Sequence, residues 1–266
     1  MDFYIIVILL LTGLAAGGVS GLFGSGGGIV MFIIFLHIFP MLGFHGKELT
    51  YSIFTTSFAC SIPIFIISAY THYKSNKCEI KLVKIVVIPS VIGLIASFFI
   101  VIICPITVIK IIFICFVFVT ALYLTMKEKF NFFYPLPSNN KLRLIGFFSE
   151  LITGSLSVGI GGIFTSLLVF WKIPLNRAIA TSALLGVYTM VLGAAFYILK
   201  GYFSVGFHGW NFGYINLYAF VFILAGSVIG SFFGSKLVHI IPNKVLNMMY
   251  AAIMVCVGID MLISIL

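Results

Sequence analysis

Residues 3–23, 28–44, 49–70, 81–104 and 106–126, then 142–158, 163–173, 178–199, 213–235 and 243–266, are almost wholly apolar. Nothing else in the chain narrows its fold as far. A run of about 20 apolar residues has the length of a helix that crosses a bilayer. Inside hydrocarbon, every backbone N–H and C=O must be satisfied within a helix or a closed barrel. Barrel strands would alternate every second residue over short segments, and these runs do not, so the chain reads as an all-α, polytopic helical membrane protein. Its composition excludes a soluble domain, since 62% of the 266 residues are hydrophobic and 8% charged. Met1-Asp2-Phe3 lacks the basic start of a cleavable signal peptide, so run 3–23 reads as a retained first segment.

The runs fall five and five about the polar stretch 127–143, which holds Pro135, Pro137, Asn139 and Asn140. This predicts one transporter domain built by duplication, with a first repeat over 1–126, a linker over 127–143 and a second repeat over 144–266. An odd number of segments in each half turns the second upside down, giving two inverted-topology repeats.

Both halves carry glycines that a continuous helix would not hold, because each costs about 1 kcal/mol relative to alanine. The first reads Gly21-Leu22-Phe23-Gly24-Ser25-Gly26-Gly27-Gly28 and the second Gly159-Ile160-Gly161-Gly162. The backbone is expected to break at each, forming two glycine-broken hairpins. Run 163–173 spans only about 16 Å, so its hairpin tip is expected near mid-membrane. Run 3–23 could span about 31 Å, which leaves open whether the first hairpin is re-entrant or fully spanning.

Lysine and arginine set the orientation. Lys74, Lys77, Lys81 and Lys84, then Lys127, Lys129, Lys141 and Arg143, then Lys236 and Lys244, are expected on the cytoplasmic side, with both termini and the loop 200–212 outside. The net charge of +9 follows from such loops and does not call for nucleic acid. A second repeated element is Thr55-Thr56-Ser57 against Ala180-Thr181-Ser182, each pair some way into its segment. A helix that starts after a glycine turn presents free N–H groups and the positive end of its dipole. Two such starts with nearby hydroxyls form an anion site that needs no fixed charge.

With these motifs in order, the chain resembles the TauE/SafE family of sulfite exporters, also called TSUP anion permeases. Gly21, Gly24, Gly26, Gly27 and Gly28 match its G-x-x-G-x-G-G-G pattern; Gly159, Gly161 and Gly162 match the second copy, with Ile163 in place of its last glycine. Arg177 to Gly186, then Gly193, Tyr197 and Gly201, look like its second-half block, and Gly213-Tyr214-Ile215-Asn216-Leu217 resembles its G-Y-V-N-L motif. Thr56-Ser57, Ala69, His72, Pro89 and Gly93 stand where that family has related residues. The resemblance implies a secondary transporter, a permease or exporter of small anions such as sulfite, organosulfonates, thiosulfate or carboxylates, in a bacterial-type plasma (inner) membrane.

The expected substrate-binding residues are therefore Gly24, Gly26, Gly27, Gly28, Thr56, Ser57, Gly159, Gly161, Gly162, Thr181 and Ser182, with Arg177 at the inner mouth. His72 and the intramembrane Glu150 are the candidates for gating or proton coupling. Asp260 is expected to pair with Lys200 or to lie at an interface. His37 and His45 are too far apart for a local metal pair, His208 and Trp210 suit an aromatic belt, and the five scattered cysteines form no C-x-x-C motif. No G-K-[ST] follows the glycines, so no nucleotide, metal or other cofactor is expected. Pro63, Pro89 and Pro105 are expected to kink or end segments. Gly226-Ser227, Gly230-Ser231 and Gly234-Ser235 form a small-x-x-x-small ladder that suits packing within one subunit or a homodimer. An integral membrane enzyme and a non-transporting assembly factor are the alternatives. The first lacks a His, Cys or carboxylate cluster, and the second has no use for the repeated breaks.

Overall fold

The computed structural model describes residues 3–24, 27–73, 78–126, 135–208, 210–237 and 240–265. Gly26 and the side chains of His72 and His208 lie outside the described residues. Each apolar run forms one helix. In the first half these are α1 (Phe3–Phe23), α2 (Gly28–Met41), α3 (Gly46–Tyr73), α4 (Ile80–Ile103) and α5 (Ile106–Met126). In the second they are α6 (Asn139–Gly154), α7 (Gly161–Phe170), α8 (Leu175–Ser204), α9 (Leu217–Leu237) and α10 (Asn243–Ile263). Helices α1, α3, α4, α8, α9 and α10 are long and apolar enough to cross a bilayer. With 14 residues in α2 and 10 in α7, the returning arms reach only about 21 and 15 Å, short of a core of about 30 Å.

Helix α6 begins at Asn139, so residues 139–143 of the expected linker are helical. Pro63 and Pro89 lie inside α3 and α4, and Pro105 separates α4 from α5. A small antiparallel ribbon between α8 and α9, with β1 Phe207–His208, β2 Asn211–Phe212 and β3 Ile215–Asn216, adds strand structure that apolar periodicity did not announce. It marks one end of the bundle, the ribbon end; Cys78 and Pro174 mark the opposite, linker end.

Lipid supplies no hydrophobic drive between helices, so backbones must approach closely to gain dispersion contacts, and small residues permit this. The tightest pair is α1 with α9. A Cβ on Gly13, Gly17 or Gly21 would overlap backbone at Ile223, Ser227 or Ser231 and Ser235; one on Gly226, Gly230 or Gly234 would overlap Leu10, Leu14 or Gly18. The ladder on α9 is therefore occupied inside the subunit. Its residue order rises together on both helices, so the two run parallel. Helices α4 and α6 are parallel in the same way, with Gly93 against Phe147 and Gly154 against Ser97.

Helices α3 and α8 run antiparallel. Phe58 fills the notch at Gly193, and Phe65 that at Gly186. Helices α5 and α10 are also antiparallel, with Lys110 beside Ser264 and Phe118 beside Gly258. Exchanging α1–α5 with α6–α10 maps the α1·α9 contact onto α6·α4 and returns α3·α8 and α5·α10 to themselves.

Candidate translocation site

The two glycine breaks meet. Gly24 and Gly27 adopt left-handed φ of 67° and 69°, the first ending α1 and the second opening α2. In the second break the left-handed residues are Ser157 (φ 52°) and Gly159 (φ 82°). There α6 ends with Ser157 N–H donating to Gly154 O at 3.2 Å and Val158 N–H to Thr153 O at 3.0 Å. Glycine usually holds that position, and a serine adopts it only when its surroundings hold it there. Gly28 lies so close to Ser157 and Val158 that a Cβ would overlap the Ser157 carbonyl. Gly24 abuts Ile179 of α8, Gly159 abuts Phe65 and Met190, and Gly161 and Gly162 open α7.

The two Thr-Ser pairs do not share a depth. On the α3–α8 register Ser57 stands level with residue 194, about twelve residues and so about 18 Å along the axis from Ser182. Phe58 and Phe65 lie between these levels. Each threonine instead receives a backbone N–H from the segment that starts a neighbouring helix. Asn216 N–H, just before α9, donates to Thr56 Oγ1 at 3.2 Å. Glu79 N–H, just before α4, donates to Thr181 Oγ1 at 3.0 Å. Since α9 and α4 are exchanged by the swap of halves, these are the same contact made twice, once towards each end of the bundle. Asn216 also caps α9 by accepting from Ala219 N–H at 2.8 Å, which accounts for an asparagine there. Thr55 and Thr181 donate to Tyr51 O and Arg177 O within their own helices.

Ser57 and Ser182 are fully buried, and among the described residues their hydroxyls have no partner. The same holds for Ser157 and for the largely buried Thr165 of α7. Such hydroxyls are costly to leave unmet. Ser157 and Thr165 escaped the sequence reading; the polar Ser155 and Ser157 just before Gly159, inside an apolar run, were the available signal.

Glu150 is fully buried, and among the described residues neither carboxyl oxygen has a hydrogen-bond partner. Thr189 of α8 stands beside it but donates to Gly186 O at 3.3 Å. Thr189 is level with about residue 62 of α3, so this acid sits between the two Thr-Ser levels.

Arg177 Nη1 donates to Glu79 Oε1 at 2.9 Å. Both groups are substantially exposed, so the pair adds less than about 1 kcal/mol. Cys78 contacts Ala180 O at 3.9 Å, and burial holds its thiol above the usual range. Asp260 pairs with His37 at 3.0 Å rather than with Lys200. The ammonium of Lys200 lies 4.2 Å from the Tyr51 ring centroid. A cleft of about 540 Å³ between α5, α6 and α7 is lined mostly by apolar groups such as Ile111, Phe116 and Ile163 and offers an anion no cation.

Paired breaks within a bundle of apolar helices define a polytopic membrane protein with a buried polar centre, the class to which solute transporters belong. The sequence profile of the family Sulfite exporter TauE/SafE matches residues 9–261, and the chain belongs to that family. It is 27% identical over 274 residues to a probable membrane transporter protein of Haemophilus influenzae, covering 98% of this chain and all of the relative. It is 25% identical over 263 residues to a probable membrane transporter protein of Methanocaldococcus jannaschii, covering 96% and 95%. No solved structure matches the chain.

Proposed function

We propose that this chain is a secondary transporter of small anions, sulfite and organosulfonates foremost, working by alternating access of two inverted repeats in a bacterial-type plasma membrane. One observation carries the reading: Thr56 with Asn216 and Thr181 with Glu79 are matched contacts, at different depths, on either side of a closed aromatic layer. A transporter needs a closure on each side of its substrate, and these contacts occupy the two positions. Inversion is supported by the parallel α1·α9 and α4·α6 pairs beside the antiparallel α3·α8 pair. Lysine counts favour the ribbon end outside and the linker end in the cytoplasm.

Between the closures, the unmet hydroxyls of Ser57, Ser182, Ser157 and Thr165 and the N–H groups that open α2 and α7 are donors for an oxyanion. Glu150 takes up a proton when solvent reaches it from one side and releases it to the other. An isolated carboxylate is costly in a dry interior, so the occluded protein carries it as the neutral acid, which also spares the anion from repulsion.

The test is flux in proteoliposomes with labelled sulfite, thiosulfate and taurine. Saturable uptake of a sulfur oxyanion or sulfonate, accelerated by a pH gradient, is the expected result. In Glu150→Gln the gradient should lose its effect while exchange of anion at equal pH persists. Absence of saturable flux for every anion tried overturns the reading.

A further inference from the structure

We propose that the ribbon end carries an anion-capture subsite outside the Thr56 closure, formed by Lys47, Lys200, Thr50 and Tyr51. The proposal rests on the transporter reading above for its role, though not for its existence.

Lys47, Thr50 and Tyr51 lie one turn apart at the start of α3 and line a cavity of about 290 Å³ completed by Val101, Cys104 and Pro105 of the α4–α5 corner. Tyr51 is almost fully buried. It is held between Tyr214 (ring centroids 5.1 Å) and Tyr197 (6.3 Å), with the Lys200 ammonium over its ring. The antiparallel register brings the first turn of α3 and the last turns of α8 to the same end, so both cations flank one tyrosine. Tyr51 is about five residues, or about 7 Å, further out than Thr56.

Neither cation here is neutralised by a carboxylate among the described residues. Arg177 is paired with Glu79, and His37 with Asp260. Among the described residues neither Lys47 nor Lys200 has a carboxylate partner, and Glu48, next along the chain, forms no ion pair with either. Among the described residues the buried hydroxyl of Tyr197, beside Tyr51, also has no partner. One uncompensated ammonium group on the cavity wall, Lys47, a second over the ring of Tyr51, which borders the cavity, and the start of a helix suit a compact oxyanion, a sulfate-sized dianion or a short sulfonate. A cation finds the wrong charge there, and a neutral solute finds an apolar wall. The subsite raises the local anion concentration directly outside the Thr56–Asn216 contact and fills before that contact opens.

The probe is inorganic sulfate on the intact protein in nanodiscs, with reductive methylation of lysines read residue by residue by mass spectrometry. The ionic strength is matched with chloride. Sulfate should slow modification of Lys47 and Lys200 by about threefold or more, leaving Lys110 at its chloride rate. Equal rates in both salts at all three lysines overturn the subsite. In a second arm, Lys47→Gln with Lys200→Gln should raise the half-saturating sulfite concentration for uptake from the ribbon end about fivefold. The maximal rate and the half-saturation from the linker end should stay the same. Protection by sulfate without sulfite flux in the unmodified protein retains the subsite and sinks the transport reading. Flux with an unchanged half-saturation in the double variant does the reverse.

Discussion

Oxidising a Thr56→Cys, Asn216→Cys pair, in a chain stripped of its five native cysteines, stops anion flux, and a reductant restores it. The Thr181→Cys, Glu79→Cys pair behaves alike. Each cross-link holds one closure, and a carrier that cannot leave one conformation completes no cycle, so flux should fall at least about tenfold in either case. The two differ in what they leave accessible. With the Thr56 closure locked, a membrane-impermeant thiol reagent should reach a cysteine placed at Ser182 from the linker end only. With the Thr181 closure locked, it should reach one placed at Ser57 from the ribbon end only. Full flux through either oxidised pair would mean that these contacts merely cap α9 and α4 and never part during transport.

The second large effect belongs to the α1–α9 seam. Gly17→Leu should cost about 3 kcal/mol or more, because a side chain there meets backbone at Ser227 and Ser231 that cannot yield. Gly18 is the control one residue away: a Cβ there would meet nothing nearer than the Gly230 carbonyl at 4.0 Å. Gel filtration of the detergent-extracted proteins should give aggregated Gly17→Leu and monodisperse Gly18→Ala. Equal behaviour of the two would contradict the parallel packing of α1 on α9.

Most of the helices were legible in the sequence because hydrocarbon imposes a local requirement. An apolar run of a given length in lipid has little choice but to be a helix, and all ten runs became one each. The glycine breaks were legible for the same reason, since a cluster such as Gly24 to Gly28 is incompatible with a continuous helix. Depth was not legible. The Thr-Ser pairs look like one site while each is read within its own segment. Their separation follows from which phenylalanine enters which glycine notch between α3 and α8, a match of side-chain volumes far apart in the chain.

Ser157 was missed because a left-handed serine carries no compositional signal. The partners of the two threonines were missed because Glu79 and Asn216 act through backbone N–H groups, which every non-proline residue has. The motif around Asn216 was visible in the family resemblance, but its purpose, capping α9 while reaching Thr56, needed the fold. Asp260 found His37 across the bundle, a pairing that no spacing within one half could suggest.

The seam between α1 and α9 also dictates an order of assembly. Gly13, Gly17 and Gly21 are made before Gly226, Gly230 and Gly234, with α2 to α8 between them. Until then α1 lies in the bilayer with its narrow face against lipid, while α4 and α6, nearer in sequence, can already join. Contacts between distant parts of a chain form slowly and leave earlier segments exposed. A nascent chain stalled before α9 therefore presents a bare row of glycines within the membrane, a mark by which an unfinished copy can be told from a finished one.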